Sequence, residues 1–598
     1  MISPRFLQFA RPYLPAYLLG LLLLLVTNGL ALSIPWLLRD AIRAMERGAE
    51  LSVVAGFALT MMGVALAQAI ARTASRLAVL GNSRRIAFDV RNAFFGQLQR
   101  LDASYYDTHR TGDIMSRGVN DTQLIQSFYG PGVMNLLNTS IVYTATLILL
   151  LRISVPLTLV SLVLFPLLFF LVNRLSRRVY SRSKAVQEQL ASISNRAQEN
   201  ISGIQQVKTY VQEDREIASF RDLCDEFRRR NLSMATVRGA MISLIGVVTG
   251  VGMLIVLFVG GRFVIEGRID FGDFVAFNAY LAMLSWPTIA LGWIINTFQR
   301  GAGAMERLEE VLEIEPAIPA AADEPDEPEG DGGPGVWQPV EGEIEIRGLT
   351  FEYEPAGRSA EESGGPLPAL HDLHLTIPRG SRVALVGPVG SGKSTLAGLL
   401  ARVYPVPPGT IFIGGTDINE IPVSRLRRSI GYVPQEAFLF SRSLRENVAF
   451  GRPEAPDDAI DRALEISNLQ GDLANFPRGL DTVVGERGFT LSGGQRQRAT
   501  LARAVVGEPG ILILDDSLSS VDADTERTIL DQLDALMSSR TSILISHRVS
   551  TLVGMDRIVV LDHGRIVEEG THRELMSRDG LYARLFRRHL LEASLEGR

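Results

Sequence analysis

A glycine-rich segment followed by a lysine is the part of this sequence that most clearly indicates chemistry. Between a predicted strand at Arg382–Val386 and a predicted helix at Leu396–Val403, the chain reads Gly387, Pro388, Val389, Gly390, Ser391, Gly392, Lys393, Ser394 and Thr395. Glycines in such a loop let successive backbone N–H groups face phosphate oxygens, and the start of the helix adds a favourable dipole. We expect Lys393 to reach the β and γ phosphates of a nucleotide and the Ser394 hydroxyl to bind Mg²⁺. The chain has three lysines among its 60 basic residues, and one of them stands here.

A pair of carboxylates follows a second apolar strand. Ile511–Leu514 is a predicted buried strand, and Asp515 and Asp516 come directly after it. Because parallel strands end at the same edge of a sheet, an acidic residue there can hold the Mg²⁺ shell beside the phosphate loop. We therefore predict that Asp515 binds the metal.

The elements that carry these residues begin after a change of composition. Residues 316–340 are rich in Pro, Ala, Asp, Glu and Gly, which cannot bury enough apolar area to fold. Short strands, the first at Glu343–Arg347, then alternate with helical stretches. The sequence predicts a linker over 316–340 and an α/β P-loop nucleotide-binding domain over 341–598.

The first half of the chain predicts a membrane domain. Crossing ~30 Å of hydrocarbon takes a helix of about 20 apolar residues, because each backbone amide needs an internal hydrogen bond. Uncharged runs of this length are Ala16–Leu38, Leu51–Ala71, Phe128–Leu151, Ile153–Asn173, Gly239–Gly261 and Phe274–Gln299. The first run is too long for the core of a signal peptide and a second span follows it. We predict an all-α six-helix transmembrane domain over 1–315, whose helices continue into the cytoplasm over 72–127 and 174–238.

Arginine placement predicts the orientation of this domain, because positive charge resists translocation. Residues 72–100 contain six arginines against the single Asp89: Arg72, Arg76, Arg84, Arg85, Arg91 and Arg100. That side, both termini and the nucleotide-binding domain are then cytoplasmic. The net charge of −6 comes partly from the acidic linker, so we predict no nucleic-acid partner. Cys224 is the only cysteine, cannot form an intrachain disulfide, and is expected to be inert.

A short motif between the two phosphate-site segments resembles a known family. Together with the P-loop, Leu491, Ser492, Gly493, Gly494 and Gln495 resemble the signature of ATP-binding cassette (ABC) proteins. By this resemblance, Tyr353 stacks on adenine, Gln435 of the Q-loop contributes to the metal and catalytic sites, and His547 is the catalytic switch histidine. Gly485–Gly488 matches a segment typical of exporters, and Ser519–Asp522 matches the D-loop. Each residue taken alone also fits an ordinary structural role.

The membrane half is similar to multidrug and lipid exporters of this family. Thr111–Arg117, followed by Asn120 and Asp121, matches a segment near a short helix that touches the nucleotide domain, although a solvated face is the plain alternative. Thr209–Asp214 would form a second such contact. The resemblance implies ATP and Mg²⁺ as cofactors, a second half-transporter as partner, and a small-molecule or lipid substrate crossing the lipid bilayer of a bacterial cytoplasmic (inner) membrane.

One residue departs from the family pattern. The family usually has glutamate after the metal-binding aspartate, where it polarises the attacking water, whereas this chain has Asp516. Aspartate is one methylene shorter, and loss of a well-placed general base slows a reaction by roughly 10² to 10⁴. In this family ATP binds between the P-loop of one domain and the signature of the other. We therefore expect the degenerate subunit of a heterodimer, with a slow homodimer as the alternative.

Two other classes of function remain open from the sequence. The chain could be an ATP-gated regulator or channel subunit, which single-channel currents would support, or an importer built on the exporter fold. The substrate is equally open. Few polar residues interrupt the spans, which suits a lipophilic or amphipathic cargo: Gln68, Asn135, Asn138, Asn278 and Asn296. Asparagines in membrane helices also commonly bind neighbouring helices to each other.

Overall fold

The computed structural model describes residues 4–319, 339–353, 368–485, 491–518, 521, 523–546 and 548–596. The chain forms two compact units. The first comprises residues 1–93 and 117–309, and the second comprises 94–116 and 310–598. Most of the predicted linker, 320–338, lies outside the described residues, so the domain limits at 315 and 341 stay predictions.

Helices account for all the regular secondary structure described before residue 313. They are α1 (Pro4–Ala10), α2 (Leu14–Glu46), α3 (Leu51–Arg100), α4 (Ala103–Thr108), α5 (Thr111–Ser116), α6 (Thr122–Ser127), α7 (Val133–Ile153), α8 (Val155–Leu162), α9 (Leu164–Ser202), α10 (Ile204–Thr209), α11 (Glu213–Ile265), α12 (Phe271–Met283) and α13 (Ser285–Leu312), with short 3₁₀ or π turns at 11–13, 117–121 and 128–132. The first unit is therefore all-α, as predicted.

Five helical stretches among the described residues are long and apolar enough to cross a membrane. They are Pro4–Glu46, Leu51–Arg100, Thr111–Ile153, Glu213–Ile265 and Phe271–Leu312. The helices continue beyond the predicted spans, as expected: α3 has 50 residues and α11 has 53. At 1.5 Å per residue, 50 residues extend about 75 Å, more than twice the hydrocarbon thickness.

The predicted span Ile153–Asn173 is not one continuous helix. It begins at the end of α7 and is divided between α8 and α9, which are separated at Val163. Pro166 lies in the first turn of α9 and has no N–H to donate to the carbonyl of Leu162. The break therefore falls where the proline withdraws a helical hydrogen bond, and the sequence-based prediction of an uninterrupted fourth span is corrected on this point.

The second unit contains two sheets. Its strands are β1 (Ile344–Phe351), β2 (Leu370–Ile377), β3 (Arg382–Val386), β4 (Ile411–Ile413), β5 (Thr416–Asp417), β6 (Ile430–Val433), β7 (Ile511–Asp515), β8 (Thr541–Ile545), β9 (Arg557–Asp562) and β10 (Arg565–Gly570). Its later helices are α14 (Lys393–Leu400), α15 (Val423–Ser429), α16 (Leu444–Val448), α17 (Asp457–Ile466), α18 (Gly493–Val505), α19 (Ala523–Met537), α20 (Val549–Leu552), α21 (His572–Arg578) and α22 (Leu581–Glu596). This is the predicted α/β class.

The larger sheet determines where the functional loops meet. Its strand order is β10-β9-β3-β8-β7-β6, and the neighbouring strands from β9 to β6 are parallel. The smaller sheet is antiparallel and has the order β2-β1-β4-β5. Every residue of β7 and β8 is buried, as expected for parallel strands covered on both faces. The pairing of Leu385 and of Asp515 with Ile545 aligns the carboxyl ends of β3, β7 and β8 at one edge.

Candidate functional site

The phosphate loop leaves β3 through glycines that no other residue could replace without moving the backbone. A Cβ at Gly387 would lie 2.1 Å from the carbonyl oxygen of Leu561 in β9. Gly392, at a φ of +95°, would place a Cβ 2.6 Å from the carbonyl oxygen of Ala369. α14 then starts at Lys393, so the loop lies against the N-terminus of a helix, where backbone N–H groups and the helix dipole favour anions.

Lys393 is held at the mouth of this loop. Its Nζ donates hydrogen bonds to the carbonyl oxygens of Gly387 (2.9 Å) and Pro388 (2.8 Å) and to Oγ of Ser391 (3.2 Å). Burial lowers the pKa of the ammonium from its ordinary value, while the charges of Asp515 and Asp516 act in the opposite direction. The lysine is therefore positioned beside the two carboxylates that the sequence predicted at the end of β7.

Ser394 and Asp515 are brought together as the sequence predicted. The Ser394 side chain lies close enough to the Asp515 carboxylate to lower its pKa, and Asp515 is 2 % exposed at the end of β7. Burial raises the pKa of Asp515, and the charge of Asp516 adds to the rise, against the effects of Ser394 and Lys393. A hydroxyl beside a buried carboxylate is a donor set of hard oxygens, which fits Mg²⁺. Ser394 and Asp515 would hold the ion, which would neutralise phosphate charge.

Asp516 adopts a backbone conformation that is unusual for a residue with a side chain. Its φ is +45°, and its N–H donates to the carbonyl oxygen of Ile545 at 2.9 Å. Aspartate and asparagine tolerate this left-handed region better than longer side chains do. The turn thus holds Asp516 close to Lys393, and it favours the shorter acidic residue that the sequence has here.

Gln435 lies at the same edge of the sheet. It is exposed, two residues after β6, and β6 pairs in parallel with β7 through Val433 and Leu514. The predicted catalytic His547 follows β8 by two residues but lies outside the described residues. So do Glu486–Gly488 of the exporter-type segment and Ser519, Ser520 and Asp522 of the D-loop. Their predicted roles stay predictions.

Tyr353 stands next to the helix that follows the phosphate loop. Its hydroxyl donates to Oγ1 of Thr395 at 2.9 Å. Its ring, which is 41 % exposed, packs edge-on against Phe351 and Tyr404. This is compatible with the predicted stacking on adenine. Tyr404 also donates to Asp107 of α4 at 2.9 Å, a partner that no motif in the sequence indicated.

The signature residues cap a different helix. Ser492 Oγ accepts from the N–H of Gln495 (3.2 Å), and the Gln495 side chain accepts from the N–H of Ser492 (3.0 Å), a reciprocal capping box at the start of α18. Gly493 and Gly494, which have no side chains of their own, form its first turn. α18 packs on α16, α17 and β6. The start of α18 is thus prepared for an anion.

Comparisons with known proteins agree with this geometry. Family models described as "ABC transporter transmembrane region" and "ABC transporter" match residues 17–288 and 370–519. The chain is similar to the Bacillus subtilis (strain 168) probable multidrug resistance ABC transporter ATP-binding/permease protein YheI, 32% identical over 98% of both chains. It is 32% identical to the Escherichia coli (strain K12) multidrug resistance-like ATP-binding protein MdlA, over 90% of this chain and 88% of MdlA. A solved bacterial Atm1-family ABC exporter with ATP bound superimposes with a TM-score of 0.75 and 26% identity, covering 97% of this chain and 98% of that one.

Proposed function

The chain belongs to the ABC transporter family, with fused transmembrane and ATP-binding domains of the exporter type, and we propose that it is the catalytically weaker subunit of a heterodimeric exporter. The ATP-binding domain of this family is an ATPase coupled to transport, and such exporters act as dimers in the membrane. The names of the relatives indicate multidrug export. We extend this to a lipophilic or amphipathic small molecule or lipid, exported across a bacterial inner membrane with the nucleotide domain in the cytoplasm.

The observation that carries the proposal is the contrast between Asp516 and the signature. Asp516 stands where the family usually has glutamate, and its left-handed backbone favours the shorter residue. Ser492 and Gln495, in contrast, form a complete cap at the start of α18. This chain would then bind ATP firmly at its own site and hydrolyse it slowly. It would also supply an intact signature motif to the ATP site of its partner.

In the proposed cycle, ATP binding closes the two nucleotide domains and opens the membrane helices to the outside. Lys393, Ser394 and Asp515 would hold the phosphates and Mg²⁺ in this chain's site. Hydrolysis at the partner's P-loop, under Ser492–Gln495 of this chain, would return the helices to the inward-open state. The proposed role of this chain's own nucleotide is therefore mainly that of a clamp.

ATPase activity of the chain purified alone in lipid nanodiscs tests the proposal. We expect tight ATP binding with turnover roughly 10² to 10⁴ below that of a site with a well-placed base. Binding is measured by filter retention of labelled ATP and turnover by phosphate release. Robust turnover of the chain alone that Asp516→Asn abolishes would show a homodimer with a working aspartate base and would overturn the proposal.

A further inference from the structure

A cavity of about 280 Å³ lies within the first unit, between α2, α3, α7 and α13. Its wall is divided by polarity. Arg72 and Arg76 of α3 line it together with side-chain amides and hydroxyls, whereas Met134, Met283 and Trp286 supply apolar surface. A site with a cationic part and an apolar part matches a ligand that is itself amphipathic.

The two arginines make this cavity positive. None of the side chains that line it is acidic. In the part of the chain that the structure describes, neither Arg72 nor Arg76 has an ion-pair or hydrogen-bond partner, and both are exposed to the cavity side of α3. Most other arginines of this unit for which contacts are described pair with carboxylates, as Arg43 does with Asp270 and Asp273. The cavity therefore has positive charge that the described chain does not neutralise.

These arginines also stand beside an apolar helix. Ser75 Oγ donates to the carbonyl oxygen of Gly20 at 3.1 Å, and a Cβ at Gly20 would lie 2.6 Å from Cγ2 of Val79, so α2 and α3 cross closely here. Gly20 belongs to the apolar run Ala16–Leu38. Arg72 lies one turn from Ser75 and lines the cavity together with Leu24 of that run. Arg72 directly follows the predicted span Leu51–Ala71, and charged side chains that face a cavity among membrane helices mark the paths of substrates or ions.

The asparagines that line the cavity already use their amide groups within the protein. Asn28 Nδ2 donates to Oδ1 of Asn138 at 3.0 Å and ties α2 to α7, so this pair is helix-to-helix contact. Asn135 donates to the carbonyl oxygen of Pro131 in the turn that precedes α7. The strongest unused donors in the cavity are therefore the two guanidinium groups.

We propose that this cavity binds the anionic group of an amphipathic substrate, a phosphate, sulfate or carboxylate, through Arg72 and Arg76, with its apolar part on Met134, Met283 and Trp286. The inference rests on the proposed export function and names its substrate class. Guanidinium groups suit it because they bind tetrahedral and planar oxyanions through two parallel N–H donors. Anionic bilayer lipids and free amphipathic anions share this chemistry.

The test is equilibrium binding, which needs neither hydrolysis nor a partner subunit. Dodecyl phosphate, dodecyltrimethylammonium and dodecyl maltoside have the same chain and differ in head-group charge. Each is added in labelled form, below its micelle concentration, to the full chain in phosphatidylcholine nanodiscs. We expect dodecyl phosphate to bind at least about tenfold more tightly than the other two, as for a charge-assisted pair.

Variants assign the preference to the cavity. Arg72→Gln with Arg76→Gln should remove the tenfold preference, and the matched Arg72→Lys with Arg76→Lys pair should retain part of it. Arg84→Gln, a change of an exposed arginine on the same helix outside the cavity, should leave it in place. Equal binding of the three head groups, or a phosphate preference that survives the double glutamine variant, would overturn the proposal.

Two further arms identify the source of the anion. Displacement of dodecyl phosphate when phosphatidylglycerol is added to the nanodisc supports a bilayer lipid, and displacement by soluble dibutyl phosphate supports a free anion. Displacement by inorganic phosphate alone, with no gain from the dodecyl chain, would contradict the amphipathic part of the proposal. ATPase activity is measured separately, so failure of the export function and failure of this inference give different results.

Discussion

The hydroxyl of Tyr404 donates a 2.9 Å hydrogen bond to the carboxylate of Asp107. Asp107 lies on the short helix α4, and the ring of Tyr404 packs perpendicular to Tyr353 with centroids 5.3 Å apart. Tyr353 in turn donates to Thr395 in the helix that follows the phosphate loop. Burial and the bond to Asp107 both raise the pKa of Tyr404, so its phenol remains a donor at physiological pH. A continuous set of contacts therefore joins α4 to the phosphate site.

Tyr404→Phe should weaken the coupling between α4 and the nucleotide site while keeping the ring contact with Tyr353. The lost bond joins exposed groups, so we expect an effect of about 1 kcal/mol, or roughly fivefold, on substrate-stimulated ATPase activity. Asp107→Asn should have a similar effect. The double variant should be no worse than either single change, because both remove the same bond. Additive losses in this cycle would show that the two residues act independently.

Asp516→Glu should raise ATPase turnover of the chain by roughly 10- to 100-fold, because the longer side chain brings its carboxylate closer to the attacking water. The gain should fall short of a full restoration, since a glutamate at a φ of +45° costs ~1–2 kcal/mol. Phosphate release by the purified variant measures it. If Asp516 already served as an efficient base, glutamate would add nothing and Asp516→Asn would abolish turnover.

Ser492 caps α18 and is also expected to bind the ATP of the partner's site, and two substitutions separate these roles. Ser492→Ala removes the cap of α18 and should cost about 1 kcal/mol of stability. Ser492→Asp keeps a good cap but places negative charge where the phosphate of the partner's ATP is expected. The aspartate variant should therefore unfold at the wild-type temperature yet lose ATPase activity of the assembled transporter. Normal ATPase activity of Ser492→Asp would show that Ser492 acts only as a helix cap.

The parts of the site that follow from local backbone demands could be predicted from the sequence. The predicted strand Arg382–Val386 is β3 without change, because a short apolar run before a glycine loop has few alternatives. The proximity of Ser394 and Asp515 followed from two motifs at the carboxyl ends of strands in one sheet. That the carboxyl ends of parallel strands lie at one edge of the sheet is a general property of such sheets.

Features that depend on distant contacts could not be predicted in this way. Tyr404 and Asp107 are 297 positions apart, and neither belongs to a recognisable motif. Arg72 and Arg76 were interpreted as cytoplasmic charge that sets orientation, and only the crossing of α3 with α2 places them beside an apolar helix. The division at Val163 was missed because hydropathy averages over a proline whose missing N–H acts locally.

Asp515→Asn should stabilise the nucleotide-free protein at pH 7. The pKa of Asp515 is raised in the folded state, chiefly by burial, so its charged form is disfavoured there relative to the neutral form that asparagine resembles. Wild-type stability falls as pH rises from the ordinary aspartate pKa through the raised folded value, so the advantage of asparagine should disappear under acidic conditions. Thermal unfolding across pH measures this difference.

The same variant should lose the stabilisation that Mg²⁺ and ATP give the wild type. At a ligand concentration of 100 times Kd, binding to the folded state contributes about 2.7 kcal/mol. Asp515→Asn should show little Mg²⁺-dependent rise in unfolding temperature, because a ligand of the ion is gone. If Mg²⁺ raised the unfolding temperature of this variant as much as that of the wild type, Asp515 would not be a ligand of the metal.

The two glycines at the start and the middle of the phosphate loop should respond differently to alanine. A Cβ at Gly387 would lie 2.1 Å from the carbonyl oxygen of Leu561, in the buried centre of β9, which cannot move freely. Gly390, at a φ of +81°, has no atom within 4 Å of the added carbon. Gly390→Ala should therefore cost only the strain of a left-handed backbone, ~1–2 kcal/mol of stability. Gly387→Ala must also displace the loop or β9, so its total cost should be about 3 kcal/mol or more. Because Lys393 bonds to the Gly387 carbonyl, that displacement should also move the ammonium. The unfolding temperature and the ATP affinity should both fall much further for Gly387→Ala than for Gly390→Ala. Equal losses in the two variants would show that backbone strain, and not the contact with β9, explains the glycine at 387.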